Sequence, residues 1–146
     1  MCLRPLVTGA ALLVTVAVTS AAQSEPVRHL TVTSKDGMNV LQWVNPAGFG
    51  NVTIRYDSGP STCVFPSLPE GGDGSLLAGN VSGTADRPAS FRHEQLTNTH
   101  NYCYTVWVNE GPGFSAGRSK SGRPFSTSAS ANSTRELSTK GLRGNC

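Results

Sequence analysis

A chain of 146 residues is enough for one domain. Its formal net charge of +3 is modest, and no nucleic-acid partner is expected. After the first 22 residues no stretch is apolar enough to span a bilayer, which excludes a further membrane segment.

Residues 1–22 have a short polar start with Arg4, then an apolar run over 6–18, then small residues at Ser20 and Ala22. The run is shorter than the roughly 20 residues of a membrane helix. Charged start, apolar middle and small-residue exit form the layout of a secretory signal peptide. The exit lacks the cysteine of a lipoprotein signal, so free export is expected, with no membrane insertion after signal removal. Cys63, Cys103 and Cys146 remain beyond this segment. An oxidising compartment favours pairing, and an odd count leaves one over. With neither a CxxC nor a Cys/His cluster, no metal site and no cofactor are expected.

From there the chain shows no amphipathic helix of useful length. Short runs alternate apolar with polar residues and are bounded by Gly, Pro, Asn and Asp. VRHLTV (27–32) opens the series. MNVLQWV (38–44) follows and stops at Asn45-Pro46. NVTIRYD (51–57) places Val52, Ile54 and Tyr56 on one face. SLLAG (75–79) is a weak strand inside a Gly- and Pro-rich stretch. SFRHEQL (90–96) leads into LTNTHNYCYTVWVN (96–109), and a last strand falls within FSAGRSKSG (114–122). About seven short strands in about 100 residues is the size of a two-sheet sandwich. Its core is expected from Val32, Leu41, Trp43, Val52, Ile54, Tyr56, Phe91, Leu96, Tyr104, Val106 and Val108. In residues 126–139, 8 of 14 are Ser or Thr. Residues 126–146 therefore read as a disordered tail or a linker.

Leu96 precedes Tyr102 by six, and Tyr104, Val106 and Val108 follow at every second place. This pattern resembles the fibronectin type III signature. LQWVNP (41–46) resembles that family's second strand and VTIRY its third. The resemblance covers residues 26–125, and implies a seven-stranded immunoglobulin-like β-sandwich. Asn98 departs from it, standing where the family often has proline. By the resemblance, Tyr102 is a tyrosine corner whose hydroxyl bonds upstream backbone, and Trp43 fills the centre between the sheets. Leu96, Tyr102 and Tyr104 join Trp43 as structural residues.

With Tyr102, Tyr104 and Val106 inward, Cys103 faces outward. Continuing the third strand's parity past Tyr56 puts Cys63 outward too. A Tyr-Cys-Tyr arrangement with an upstream cysteine is also similar to secreted bacterial members of the family. A Cys63–Cys103 disulfide is expected, the alternative being two unrelated thiols. Cys146 is then unpaired and available to dimerise the chain.

Candidate sites are few. GFSAG (113–117) matches the GxSxG nucleophile elbow around Ser115, but the elbow needs a strand, a sharp turn and a helix over a parallel sheet. RSKSGRP after it is not helical, so a small serine hydrolase is a remote alternative and no catalytic residue is assigned. His29, His93 and His100 lack metal spacing. Glu70 and Asp73, in EGGDG, supply too few oxygens for calcium. Residues 23–110 hold 5 basic and 8 acidic side chains, while 111–146 hold 6 and 1. Within that basic end, Arg118, Lys120 and Arg123 with an outward Trp107 form a possible ligand-binding group. A solvated, cation-protected edge strand is the plainer account.

The expected function is an exported, non-catalytic binding, adhesion or spacer module. It would act outside the cell or at its surface, with an extracellular protein or polysaccharide as partner. The main alternative is an accessory domain of a truncated secreted polysaccharide-degrading enzyme.

Overall fold

The computed structural model describes residues 24–111 and 113–127. The expected signal peptide, Cys146 and all but the first two residues of the expected tail lie outside them. Seven strands follow in chain order: β1 Arg28–Lys35, β2 Met38–Val44, β3 Asn51–Gly59, β4 Ser75–Val81, β5 Pro88–His93, β6 Asn101–Asn109 and β7 Arg118–Gly122. There is no helix among the described residues. The strands form two antiparallel sheets, ordered β1-β2-β5 and β4-β3-β6-β7. The protein is an all-β sandwich.

Local sequence explains most of these elements. In β2 the alternation of Asn39, Leu41 and Trp43 with Val40 and Gln42 buries one face. Asn45-Pro46 then stops the strand. β1 runs three residues past its expected end, because Thr33, Ser34 and Lys35 pair with Val40, Asn39 and Met38 across a tight turn. Gly37 takes φ 57° there, a conformation glycine adopts without steric penalty. β5 starts at Pro88 and ends at His93, earlier than expected, and the chain bends at once into β6. Proline is tolerated as the first residue of an edge strand, since no ladder donor is required of it.

Leu41, Trp43, Val52, Ile54, Tyr102, Tyr104, Val106 and Val108 are buried between the sheets, joined by Val27. Val32, Tyr56, Phe91 and Leu96 pack against them only partly buried. The Trp43 Nε1–H donates to Asn45 Oδ1 at 2.7 Å, and Asn45 Nδ2 donates to the Thr84 carbonyl at 2.9 Å. The indole is thus buried with its one polar group satisfied. The Tyr102 hydroxyl accepts the Thr97 backbone N–H at 2.9 Å, the upstream bond expected of it. Leu96 donates its N–H to the Gly37 carbonyl at 2.9 Å. Asn98 has a role that its sequence position did not announce. Its Oδ1 accepts the Gly37 N–H at 2.8 Å and its Nδ2 donates to Asp36 Oδ1 at 2.7 Å. The bend before β6 is therefore fastened to the β1–β2 turn by a side-chain amide.

One polar chain crosses the core. Asn39 Nδ2 donates to the Tyr104 hydroxyl at 2.9 Å, and His93 Nδ1 lies 3.0 Å from the same oxygen. Burial holds the Tyr104 phenol well above its ordinary pKa. Desolvation lowers the His93 pKa below 6.5, because the charged imidazolium loses water and gains no carboxylate. Around the ring stand Tyr56, Tyr102 and Tyr104. As pH falls, the unfolded chain takes up this proton before the native one. Stability attributable to His93 is therefore complete above pH 6.5 and is lost as pH falls through that value toward the lower native pKa. Urea midpoints measured from pH 7.5 to 4.5 are expected to fall less steeply in His93→Gln than in wild type. Equal slopes in both would show that His93 does not carry the dependence.

β3 and β6 depart from simple alternation. Seven consecutive residues of β6, Tyr102 to Val108, are buried on both faces, as are Val52 to Arg55 of β3. The cover comes from the Gly- and Pro-rich segment 60–74 and from residues 113–117. Cys63 is joined to Cys103 across a sequence separation of 40, with a Cα–Cα distance of 5.7 Å. Arg55 Nε and Nη2 donate to the carbonyls of Asp73 and Gly74 at 3.3 and 2.7 Å. The segment is thus tied at both ends to the outer face of the larger sheet. Asp73 closes its inner turn by accepting the backbone N–H and hydroxyl of Ser67. These bonds, the backbone one foremost, hold its carboxyl below the ordinary value.

Candidate functional site: a basic seam between the sheet edges

β1 and β7 are the edge strands of their sheets, and they meet along one side of the sandwich. At one end of the seam the edges touch. The Arg123 N–H donates to Ser34 Oγ at 2.9 Å, and a Cβ on Gly122 would come within 2.5 Å of Val32 Cγ1. Toward the other end a groove of about 470 Å³ opens, lined by Arg28, His29 and Leu30 on one side and Arg118 and Lys120 on the other.

The register explains the cations. Arg118 stands opposite Val106 and Lys120 opposite Tyr104. Directly paired residues share a face, so both side chains project on the core side of β7. At the sheet edge that side opens to water, and both residues are exposed. Neither has an ion-pair partner among the described residues. Arg28 differs, since its guanidinium pairs with the Asp86 carboxylate and also donates to the Asn45 carbonyl. His29 sits at the β1 bulge with φ 53°. That left-handed conformation is uncommon outside glycine and disfavoured by a Cβ. The bulge turns this edge away from further strand pairing.

Two of the residues expected here are elsewhere. Trp107 does lie on the outer side of β6, but it is only 3% exposed and offers no platform. Residues 113–117 run across it, and a Cβ on Gly117 would come within 2.7 Å of its Nε1. Alternation along a strand gives the side of the sheet and says nothing of what covers that side. Arg123 is spent on the fold: its Nε donates to the Thr99 carbonyl at 2.8 Å, tying the end of β7 to the bend before β6. Arg118 and Lys120 are brought together, and the structure adds Arg28, which the sequence does not single out, and His29, which it offers only as a metal ligand without the spacing. A positive charge at the first position of an edge strand is the only signal for Arg28.

Ser115 is 5% exposed. Its Oγ accepts the Val108 N–H at 2.9 Å and donates to the Ala116 carbonyl at 3.1 Å, while its own N–H bonds the Val108 carbonyl at 2.8 Å. The GFSAG motif folds the β6–β7 connection back onto β6, with no helix following it, so the elbow geometry is not formed. Among the described residues no group of three His, Cys, Asp or Glu side chains is placed to hold a metal ion.

No family model matches this chain, and no curated protein matches it.

Proposed function

We propose that the protein is an exported, non-catalytic binding module of the fibronectin type III class, and that it contacts an acidic extracellular polymer through the β1–β7 seam. The class reading is supported by the three- and four-stranded antiparallel sheets, the tryptophan buried between them and the Tyr102–Thr97 bond. Export is supported by the layout of residues 1–22 and by a disulfide, a bond that persists in oxidising compartments.

The observation that carries the ligand class is the pair Arg118 and Lys120, exposed side by side without a counterion at an open groove. Cations on an elongated seam attract a repeating polyanion and hold it weakly per contact, so binding depends on salt. Polygalacturonate in isothermal titration is expected to bind wild type at low ionic strength, and neutral dextran is not. Arg118→Ala with Lys120→Ala is expected to weaken polygalacturonate about tenfold, two exposed pairs at up to about 1 kcal/mol each. The thermal midpoint should barely move, because both side chains are exposed. Unchanged binding in the double variant would leave the two cations as guards of a sheet edge and nothing more.

A further inference from the structure

The outer face of the larger sheet carries a second groove, of about 320 Å³, apart from the seam. Its lining includes Arg55, which is 8% exposed. A cation so deeply placed ordinarily has a carboxylate beside it, because burying an unpaired charge is unfavourable. Arg55 has no ion-pair partner among the described residues. Its Nε and Nη2 donate to two successive carbonyls, those of Asp73 and Gly74. A guanidinium has five N–H donors in a planar fork. Two are used along one edge, which leaves the Nη1/Nη2 edge for a further acceptor.

The rest of the groove has a consistent chemistry. Thr53, Asn80 and Asn109 supply a hydroxyl and two amides, and Leu76 and Phe114 supply apolar surface. Leu76 is 59% exposed, unusual for leucine on a strand of a small sandwich. Asn80 is held at φ 66° on β4. Non-glycine residues held in that region gather at ligand clamps more than elsewhere. Glu70, on the disulfide-tied segment, also lines the groove, yet it forms no ion pair with Arg55.

We propose that this groove binds a carboxylated saccharide. Arg55 anchors the carboxylate as a charge-assisted pair, the hydroxyl and amides meet ring hydroxyls, and the Leu76 and Phe114 side chains lie against the ring. A guanidinium fork matches the two oxygens of a carboxylate. The three neutral polar groups exceed what a bare anion requires. Glu70 is the internal competitor, a carboxylate at the same groove that a ligand must displace or avoid.

The test is a nitrogen-15 NMR titration of the oxidised protein with galacturonate, galactose, acetate and inorganic phosphate. Galacturonate is expected to give saturable shifts at the backbone amides of Thr53, Asn80 and Asn109, and galactose, acetate and phosphate much weaker ones. Arg55→Lys keeps the charge but loses the fork, and is expected to weaken galacturonate about tenfold. Glu70→Gln, an exposed change that leaves the fold intact, is expected to tighten it about threefold. Arg118→Ala with Lys120→Ala should leave these shifts unaltered, so this site and the seam succeed or fail separately. Galactose binding as well as galacturonate would overturn the anchoring role of Arg55, and acetate or phosphate binding as well would overturn the saccharide. Absence of saturable shifts at the three amides in wild type, with Glu70→Gln likewise silent, would overturn the site.

Discussion

Replacing both Cys63 and Cys103 by alanine is expected to lower the unfolding free energy by about 4 kcal/mol, the chain-entropy value for a closed loop of about 40 residues. That is a large share of the roughly 5–15 kcal/mol available to a domain of this size. The native state also loses something specific. Cys103 is buried on the outer face of β6, and its bond is what lays segment 60–74 over that face. Without it the segment keeps the Arg55 bonds at its far end, and its near end keeps two side-chain hydrogen bonds, the Val64 N–H to Asp57 and Asn101 Nδ2 to the Ser61 carbonyl. Val64, Phe65 and Leu68 are already exposed on this segment, so its release adds little apolar burial to lose. The penalty is therefore expected mainly as a shift in urea midpoint, with the outer-face amides of β3 and β6 exchanging faster. A change below about 1 kcal/mol would mean that the unfolded chain is already compact around this loop. Reduction of the wild type should reproduce the double variant's midpoint.

Trp43→Ala is expected to cost about 3–5 kcal/mol, the range for deleting a large buried aromatic. The indole fills the space between the sheets, and its loss leaves a cavity that two hydrogen-bonded layers cannot close without breaking register. It also orphans Asn45, whose amide accepts from Trp43 and donates to the Thr84 carbonyl. Trp43→Phe separates the two effects. It retains much of the packing and removes only the Nε1–H donor, so a smaller loss of about 1–2 kcal/mol is expected. Chemical denaturation followed by far-ultraviolet circular dichroism reads both. Near-equal stabilities for the alanine and phenylalanine variants would place the weight on the hydrogen bond instead of the packing.

The two results bear on different levels of the fold. Trp43 belongs to an element written plainly in the local pattern. β2 runs from Met38 to Val44, the span of the alternating run that ends at Asn45-Pro46. β6 is similar: Tyr102, Tyr104, Val106 and Val108 recur at the strand period and turn inward together. In SFRHEQL the strand pattern runs past the end of β5, because nothing in it breaks a strand. β5 ends at His93 since the chain must turn to bring Tyr102 under Thr97, a requirement set by a partner five residues on. Asn98 illustrates the same limit. As one of five successive polar residues, Thr97 to Asn101, it carries no message of its own, and its function appears only when the Asp36-Gly37 turn lies beside it.

What the sequence determined by itself was the period of each strand, the side of the sheet that each residue occupies, and the places where strands stop. These follow from backbone geometry and from the chemistry of proline, glycine and asparagine, which act within a few residues. Only the tertiary structure decided what lies over each side. Trp107 and Cys103 are on the outer face, as alternation requires, yet both are buried, because segments 60–74 and 113–117 return across that face. Cys63 and Cys103 held the one sequence clue to this: a bridge to an outward cysteine must draw its partner's segment over the same surface. Arg55, Arg118 and Lys120 received their environments the same way, from chain distant in sequence. Side-chain direction is a local property of the backbone, whereas burial and charge pairing depend on which remote segment arrives, and no local period encodes that.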